Sequence, residues 1–169
     1  MRVPRALAVL GTAFALLAGC GEEDQREREP ETVAARSERA APETAWLAPT
    51  DTTEPALWLA RRATSGPSVD PAALGALRAS LAQARGRFVE DPRMVANRTA
   101  QLEAMLAEID VAESPAALIA DLSEVAAVSG RRQLYGEMCQ HYATVRRDGL
   151  SRAAALERLR ERYAAQRHP

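Results

Sequence analysis

The chain has 169 residues, 47% of them apolar, and its 22 basic and 23 acidic residues leave a net charge of −1, so no bulk charge draws it onto nucleic acid. Every basic residue is an arginine, and the absence of lysine excludes Schiff-base chemistry and a phosphate-loop lysine. Two cysteines and two histidines leave a thin inventory for nucleophilic, acid-base or metal chemistry, and no Cys-x-x-Cys-His run is present to attach a c-type haem.

In chain order, Met1 to Arg5 carry two arginines and Ala6 to Ala18 form an apolar run, the layout of a signal peptide and too short to span a bilayer. The run ends in Leu17-Ala18-Gly19-Cys20, which resembles the bacterial lipobox. That resemblance implies a lipoprotein signal peptide over residues 1–19, cleavage before Cys20, and lipidation of its thiol with diacylglyceryl and palmitate-type chains. At about 0.8 kcal/mol per buried methylene, two or more acyl chains hold a protein on a membrane almost permanently. By the same resemblance, Gly21 rather than aspartate after the cysteine favours the outer over the inner membrane, with the domain facing the periplasm.

Residues 20–45 read as an acidic, flexible tether: eight carboxylates (Glu22, Glu23, Asp24, Glu27, Glu29, Glu31, Glu38, Glu43) face four arginines, with almost no large apolar side chain to bury. At about 5 to 6 Å times the square root of its length, such a segment reaches about 30 Å.

Residues 46–166 are predicted to form an all-α domain, a small irregular bundle of about five or six short antiparallel helices, followed by a tail over 167–169. Trp46-Leu47-Ala48-Pro49 enters it extended, because a residue before proline is pushed from helical geometry; Trp46 either packs on its own domain or serves as an exposed anchor. Thr53-Glu54-Pro55 opens a helix that stops near Ser65-Gly66. Asp70-Pro71 opens a second carrying Leu74, Leu77, Leu81, Ala84 and Phe88, and Asp91-Pro92 a third carrying Val95, Leu102, Met105, Leu106 and Ile109. Ser114-Pro115 opens a fourth that closes at Gly130, Arg131 to Arg147 form a fifth, and Gly149-Leu150-Ser151 leads into a sixth.

Arg98 falls on the apolar face of the third helix, where a guanidinium must reach the rim or meet an acceptor. Two readings stand: a structural ion pair with a core-facing carboxylate, or an anionic-ligand or partner contact with Asn97 and Gln101 beside it. On the fifth helix Tyr135, Met138, Cys139, Tyr142 and Val145 form one face, the pattern of a core, while Glu137 and His141 lie one turn apart and could meet. Cys139, left single once Cys20 is lipidated, reads as a buried small hydrophobe. With His168 near the terminus no metal set assembles, and neither a cofactor nor a catalytic residue is expected. From Arg146 onward seven arginines meet Asp148, Glu157 and Glu161, a local excess of +4 that is either a solvated face with local pairs or a docking face for an acidic protein.

The runs Arg93-Met94-Val95-Ala96-Asn97-Arg98-Thr99-Ala100-Gln101-Leu102-Glu103-Ala104-Met105-Leu106 and Tyr135-Gly136-Glu137-Met138-Cys139-Gln140-His141-Tyr142, together with the lipobox, resemble the MxaH-type methanol-utilization lipoprotein family. The likeness runs from about Asp91 to Tyr163. It implies an accessory role in periplasmic methanol oxidation around a quinoprotein dehydrogenase and transfers no functional residue. The expected function is therefore that of a non-enzymatic, membrane-anchored protein-binding factor whose partner is a periplasmic protein such as a methanol dehydrogenase component. The alternatives are a small anionic-ligand module centred on Arg98, using Asn97 and Gln101 with His141 as a further candidate, and a generic structural lipoprotein of the cell envelope.

Overall fold

Four helices start on a proline: α1 (Pro55–Arg62), α2 (Pro71–Ala84), α3 (Pro92–Ala107) and α4 (Pro115–Ala127). The ring presets φ, and the first helical position has no intrahelical N–H bond to lose. Asp70 accepts from the amides of Ala72 and Ala73 (3.0 and 3.3 Å), and Asp91 from that of Met94 (2.8 Å). Two further helices follow, α5 (Tyr135–Arg147) and α6 (Arg152–Ala164), and Ser151 caps the latter through the Ala154 amide at 3.3 Å.

The computed structural model describes residues 45–64 and 68–167. The predicted signal peptide, Cys20, the predicted tether up to residue 44, the predicted stop at Ser65-Gly66 and the last two residues of the predicted tail lie outside the described residues. The domain is all-α, six helices and a closing 3-10 turn at Ala165–Arg167, and none of its described helices is long and apolar enough to cross a membrane.

Helix ends follow local chemistry. Asp110 (φ 57°), three residues past α3, and Gly149 (φ 86°), two past α5, take the left-handed conformation, so that the Val111 amide reaches back to the Leu106 carbonyl (3.0 Å) and the Leu150 amide to that of Val145 (3.3 Å). Three boundaries differ from the sequence expectation. Phe88 and Ile109 lie beyond the ends of α2 and α3, and α5 begins at Tyr135 rather than Arg131. Ile109 lies in the local turn that closes α3, its amide bonded to the Leu106 carbonyl (3.0 Å); for Phe88 and the start of α5 the cause is one parallel β-bridge between Phe88 and Gln133, in which the Val89 amide donates to the Gln133 carbonyl (3.0 Å) and the Gln133 amide to that of Arg87 (2.9 Å). Those backbone groups are paired across 45 residues of sequence, so neither segment continues a helix.

The most extensive packing joins alternate helices, α2 on α4 and α3 on α5, rather than the consecutive hairpins that short connectors suggest. Phe88, Leu102, Leu106, Leu118, Ile119, Leu122, Met138, Tyr142 and Tyr163 fill the centre at 1% exposure or less. Each fully buried side chain of this kind contributes about 1.5 to 3 kcal/mol. The bridge brings the α2–α3 connector against the start of α5, and this junction positions the residues described next.

Candidate functional site

The fifth helix has Leu134 at its N-cap and no local side chain to accept its first amides. Glu90, 45 residues earlier, supplies the acceptor: one carboxylate oxygen binds the Tyr135 amide at 2.9 Å and the other the Gly136 amide at 3.0 Å. A carboxylate at a helix N-terminus satisfies orphan donors and meets the positive end of the dipole. Gly136 leaves room for a neighbour. A Cβ there would stand 3.2 Å from Arg98 Nε and 3.7 Å from a Glu90 oxygen, so the Arg98 side chain lies against the first turn of α5 with the Glu90 carboxylate close by.

Arg98 is half-buried, at the rim of the α3 face rather than in its middle, and its Nη1 donates to Gln101 Oε1 at 2.8 Å. Among the described residues no carboxylate lies within ion-pairing distance of it, so the predicted internal ion pair is replaced by an amide partner one turn away. Asn97 is not part of this group. It is fully buried, with Oδ1 accepting from the Leu47 amide (2.9 Å) and Nδ2 donating to the Leu47 carbonyl (3.0 Å). The amide thus clasps the N-terminal arm as a strand neighbour would, and Leu47, 1% exposed, is the arm's anchor. Trp46, read from the sequence either as packed on its own domain or as an exposed anchor for a partner, is half-buried.

Beneath the corner lies an internally satisfied network. Tyr135 Oη and Thr99 Oγ1 are 2.9 Å apart, Thr99 donates to the Val95 carbonyl, and the Phe88 ring meets Tyr135 edge-on at 4.7 Å. Burial pushes the Cys139 thiol well above its ordinary value, which keeps it protonated and unreactive. Burial raises Tyr135 in the same direction. Glu103, one turn beyond Thr99, is pushed up to about 7 by burial, against the opposing charge of Arg62.

Glu137 and His141 do not make the contact that their spacing allows. Glu137 points to solvent, and His141 Nδ1 lies 3.2 Å from Tyr163 Oη, with burial and then the Arg162 charge lowering its pKa. Among the described residues no three His, Cys, Asp or Glu side chains converge on one point where a cation would sit.

The predicted basic face of the C-terminal helices is largely neutralised. Arg146 binds Glu113 as a pair almost wholly removed from solvent, and both Glu113 oxygens also accept from Tyr142 Oη (3.0 and 2.9 Å). Arg147 pairs with Glu108 (2.7 Å), Arg152 with Asp121 (2.5 Å), Arg160 with Glu124 and Glu157 (3.8 and 3.4 Å), and Arg158 with Glu161 (3.9 Å). Four of these partners, Glu108, Glu113, Asp121 and Glu124, come from outside the stretch and were missed by counting charge within it.

The sequence reading also passed over Glu90 and Gln133, gave Gly136 no role and placed Phe88 on the second helix. A usable signal existed, because α5 was the one helix predicted without a Ser, Thr, Asp or Pro at its start, and a helix with no local cap requires an acceptor from elsewhere.

A cleft of about 240 Å³ between α1, α2 and the start of α3 is lined by Glu54, Pro55, Arg78, Leu81, Arg85 and Pro92. Arg78 and Glu54 close on each other through two 2.7 Å bonds.

A family model described as MoxZ matches residues 56–164, from the first turn of α1 to the last residue of α6. No curated protein and no solved structure matches. The match covers well over half of the chain, which belongs to the MoxZ family, a family associated with methanol oxidation. The match starts after the lipobox-like run and the predicted tether, so it speaks for the helical domain alone.

Proposed function

We propose that this MoxZ-family chain is a non-enzymatic accessory protein of the methanol-oxidation system, held on the periplasmic side of the outer membrane by lipid on Cys20, where it binds another protein. The observation that carries the binding role is where its polar chemistry is engaged. Thr99, Tyr135 and Cys139 lie buried against one another or against backbone, His141 meets Tyr163, and Asn97 holds the arm, whereas Arg98 and Gln101 stay together at the surface. The first set serves the fold, and the second is available to a partner. Family membership supports the system in which that partner is sought.

The test is purification of the full-length chain from native membranes of methanol-grown cells in mild detergent. Retention of methanol dehydrogenase or one of its partner proteins is expected, with slower methanol oxidation in a deletion strain. Recovery of the free chain alone, with unchanged oxidation in the deletion strain, would contradict it. Cys20→Ser is expected to release the chain from the membrane fraction; continued membrane attachment would contradict the lipid anchor.

A second reading is favoured by Arg98 itself, half-buried with an amide and no carboxylate partner among the described residues: a small oxyanion bound between Arg98 and Gln101. Titration with inorganic phosphate, comparing Arg98→Gln with the unmodified chain, distinguishes it. Saturable binding lost in the variant supports it, and no binding up to millimolar concentration removes it.

A further inference from the structure

The bridge that ends α2 and delays α5 also builds a surface. Phe88 and Gln133 face inward, at 0% and 8% exposure. The residues that flank the bridge are open to solvent instead: Arg87 and Val89 on one segment and Arg132 and Leu134 on the other are all exposed. The parallel register of the bridge places Arg87 next to Arg132 and Val89 next to Leu134 along the two segments. Val89 and Leu134 are the large hydrophobic side chains most open to solvent among the described residues, at 57% and 52%. They sit side by side rather than scattered.

The charge around them is unneutralised. Neither Arg87 nor Arg132 has a carboxylate within ion-pairing distance among the described residues, and Arg132 rests its guanidinium on the Phe88 carbonyl instead. Glu90, next to Val89, directs both carboxylate oxygens to the α5 amides. Arg98 lies just behind, against Gly136. The corner is thus an apolar pair with an arginine rim, the composition of an interface centre and its edge.

We infer that the outward face of the 87–89/132–134 bridge is the docking surface of this protein, and that its occupant is an acidic protein surface presenting an apolar side chain to Val89 and Leu134. The inference rests on the protein-binding reading above and names the place where it acts. A second copy of the chain fits poorly, because a two-fold contact through this patch would set Arg87 and Arg132 against their own equivalents. The acidic run over residues 22–43 could neutralise the arginines, but apart from Pro30 and Pro42 its one aliphatic side chain larger than alanine is Val33, a poor cover for both Val89 and Leu134. An acidic protein surface supplies both requirements.

The experiment uses the full-length chain in mild detergent with purified methanol dehydrogenase, and with its partner proteins, as probes. A photoreactive benzoylphenylalanine replaces Leu134 or Val89 and, as the control, Arg158 on α6. Binding is measured for the unmodified chain, Leu134→Ser, Arg87→Glu and the conservative Arg87→Lys, with a thermal melt of each to confirm folding. Crosslinks from 134 and 89, but not from 158, onto an acid-rich surface of a probe are expected. Leu134→Ser and Arg87→Glu each weaken binding by about tenfold, Arg87→Lys far less, and added salt weakens the unmodified chain in parallel. Binding unchanged in folded Leu134→Ser and Arg87→Glu, or crosslinks arising from 158 instead, overturns the docking surface while leaving the function standing. Crosslinks that land on residues 22–43 or on a second copy, or an Arg87-dependent affinity for phosphatidylglycerol vesicles alone, overturn the protein occupant. An unmodified chain that binds none of the probes overturns the functional reading itself.

Discussion

The two ends of α5 use the same components, a glutamate from a distant segment, arginines and an aromatic ring, with opposite results. At the C-terminal end Glu113 is ringed by Arg146, Tyr142 and, at 3.8 Å, Arg152, and both members of its main pair are nearly sealed from water. At the N-terminal end Glu90 turns to backbone amides and leaves Arg87, Arg98 and Arg132 without a carboxylate partner among the described residues. The difference teaches that arginine content alone does not mark a contact surface. What matters is which acceptors the fold brings to each guanidinium, and a carboxylate engaged by a helix terminus is withdrawn from its neighbours.

The largest test of this contrast is Glu113→Ala, which strands a mostly buried guanidinium and is expected to lower stability by about 3 kcal/mol or more in denaturant titration. A loss below about 1 kcal/mol would mean that the C-terminal end is as open as the N-terminal one. Asn97→Ala leaves the buried Leu47 amide and carbonyl without partners, an expected cost of about 2 to 3 kcal/mol, accompanied by faster proteolysis near residues 45–49. Glu90→Ala removes only a cap at a partly exposed terminus, so about 1 to 2 kcal/mol is expected, with α5 fraying first in amide exchange.

The pH response separates the two regions by sign. Glu103, near Tyr135, has its folded pKa raised from 4.5 to about 7, so the native state holds the proton more tightly than the unfolded chain does. Its contribution is full below about pH 4.5 and is lost as pH rises toward 7. His141, in the C-terminal half of α5, has its folded pKa lowered below 6.5, and it loses stability in the other direction, as pH falls. Glu103→Gln is therefore expected to remove the falling limb of Tm between pH 5 and pH 7.5. A variant whose Tm falls over that range as steeply as the unmodified chain's would show that Glu103 titrates normally.

Much of the architecture was readable because its signals are local. Asp70-Pro71, Asp91-Pro92 and Ser114-Pro115 mark helix starts by chemistry that needs no tertiary partner, Gly149 marks an end, and the face of Tyr135, Met138, Cys139 and Tyr142 is buried as its spacing requires. Phe88 deceived because it continues the period of Leu77, Leu81 and Ala84 while sitting past the last turn, and periodicity cannot register a chain that leaves the helix yet stays on the same core. The candidate site was legible only in Arg98 and Gln101. Asn97 is occupied by a backbone 50 residues away, and the C-terminal arginines are neutralised by acids on α4 and in the α3–α4 connector, pairings that exist only once the helices have packed.

The central claim is that the N-terminal end of α5 is open to a partner and the C-terminal helices are closed. The most direct measurement is a matched pair of charge reversals in the full-length chain, Arg87→Glu against Arg158→Glu, each assayed for methanol dehydrogenase retained from native membranes. The exposed Arg158–Glu161 pair is worth about 0 to 1 kcal/mol, so both variants are expected to fold. The account predicts that retention falls about tenfold with Arg87→Glu and is unchanged with Arg158→Glu. Equal losses, or loss with Arg158→Glu alone, would contradict it.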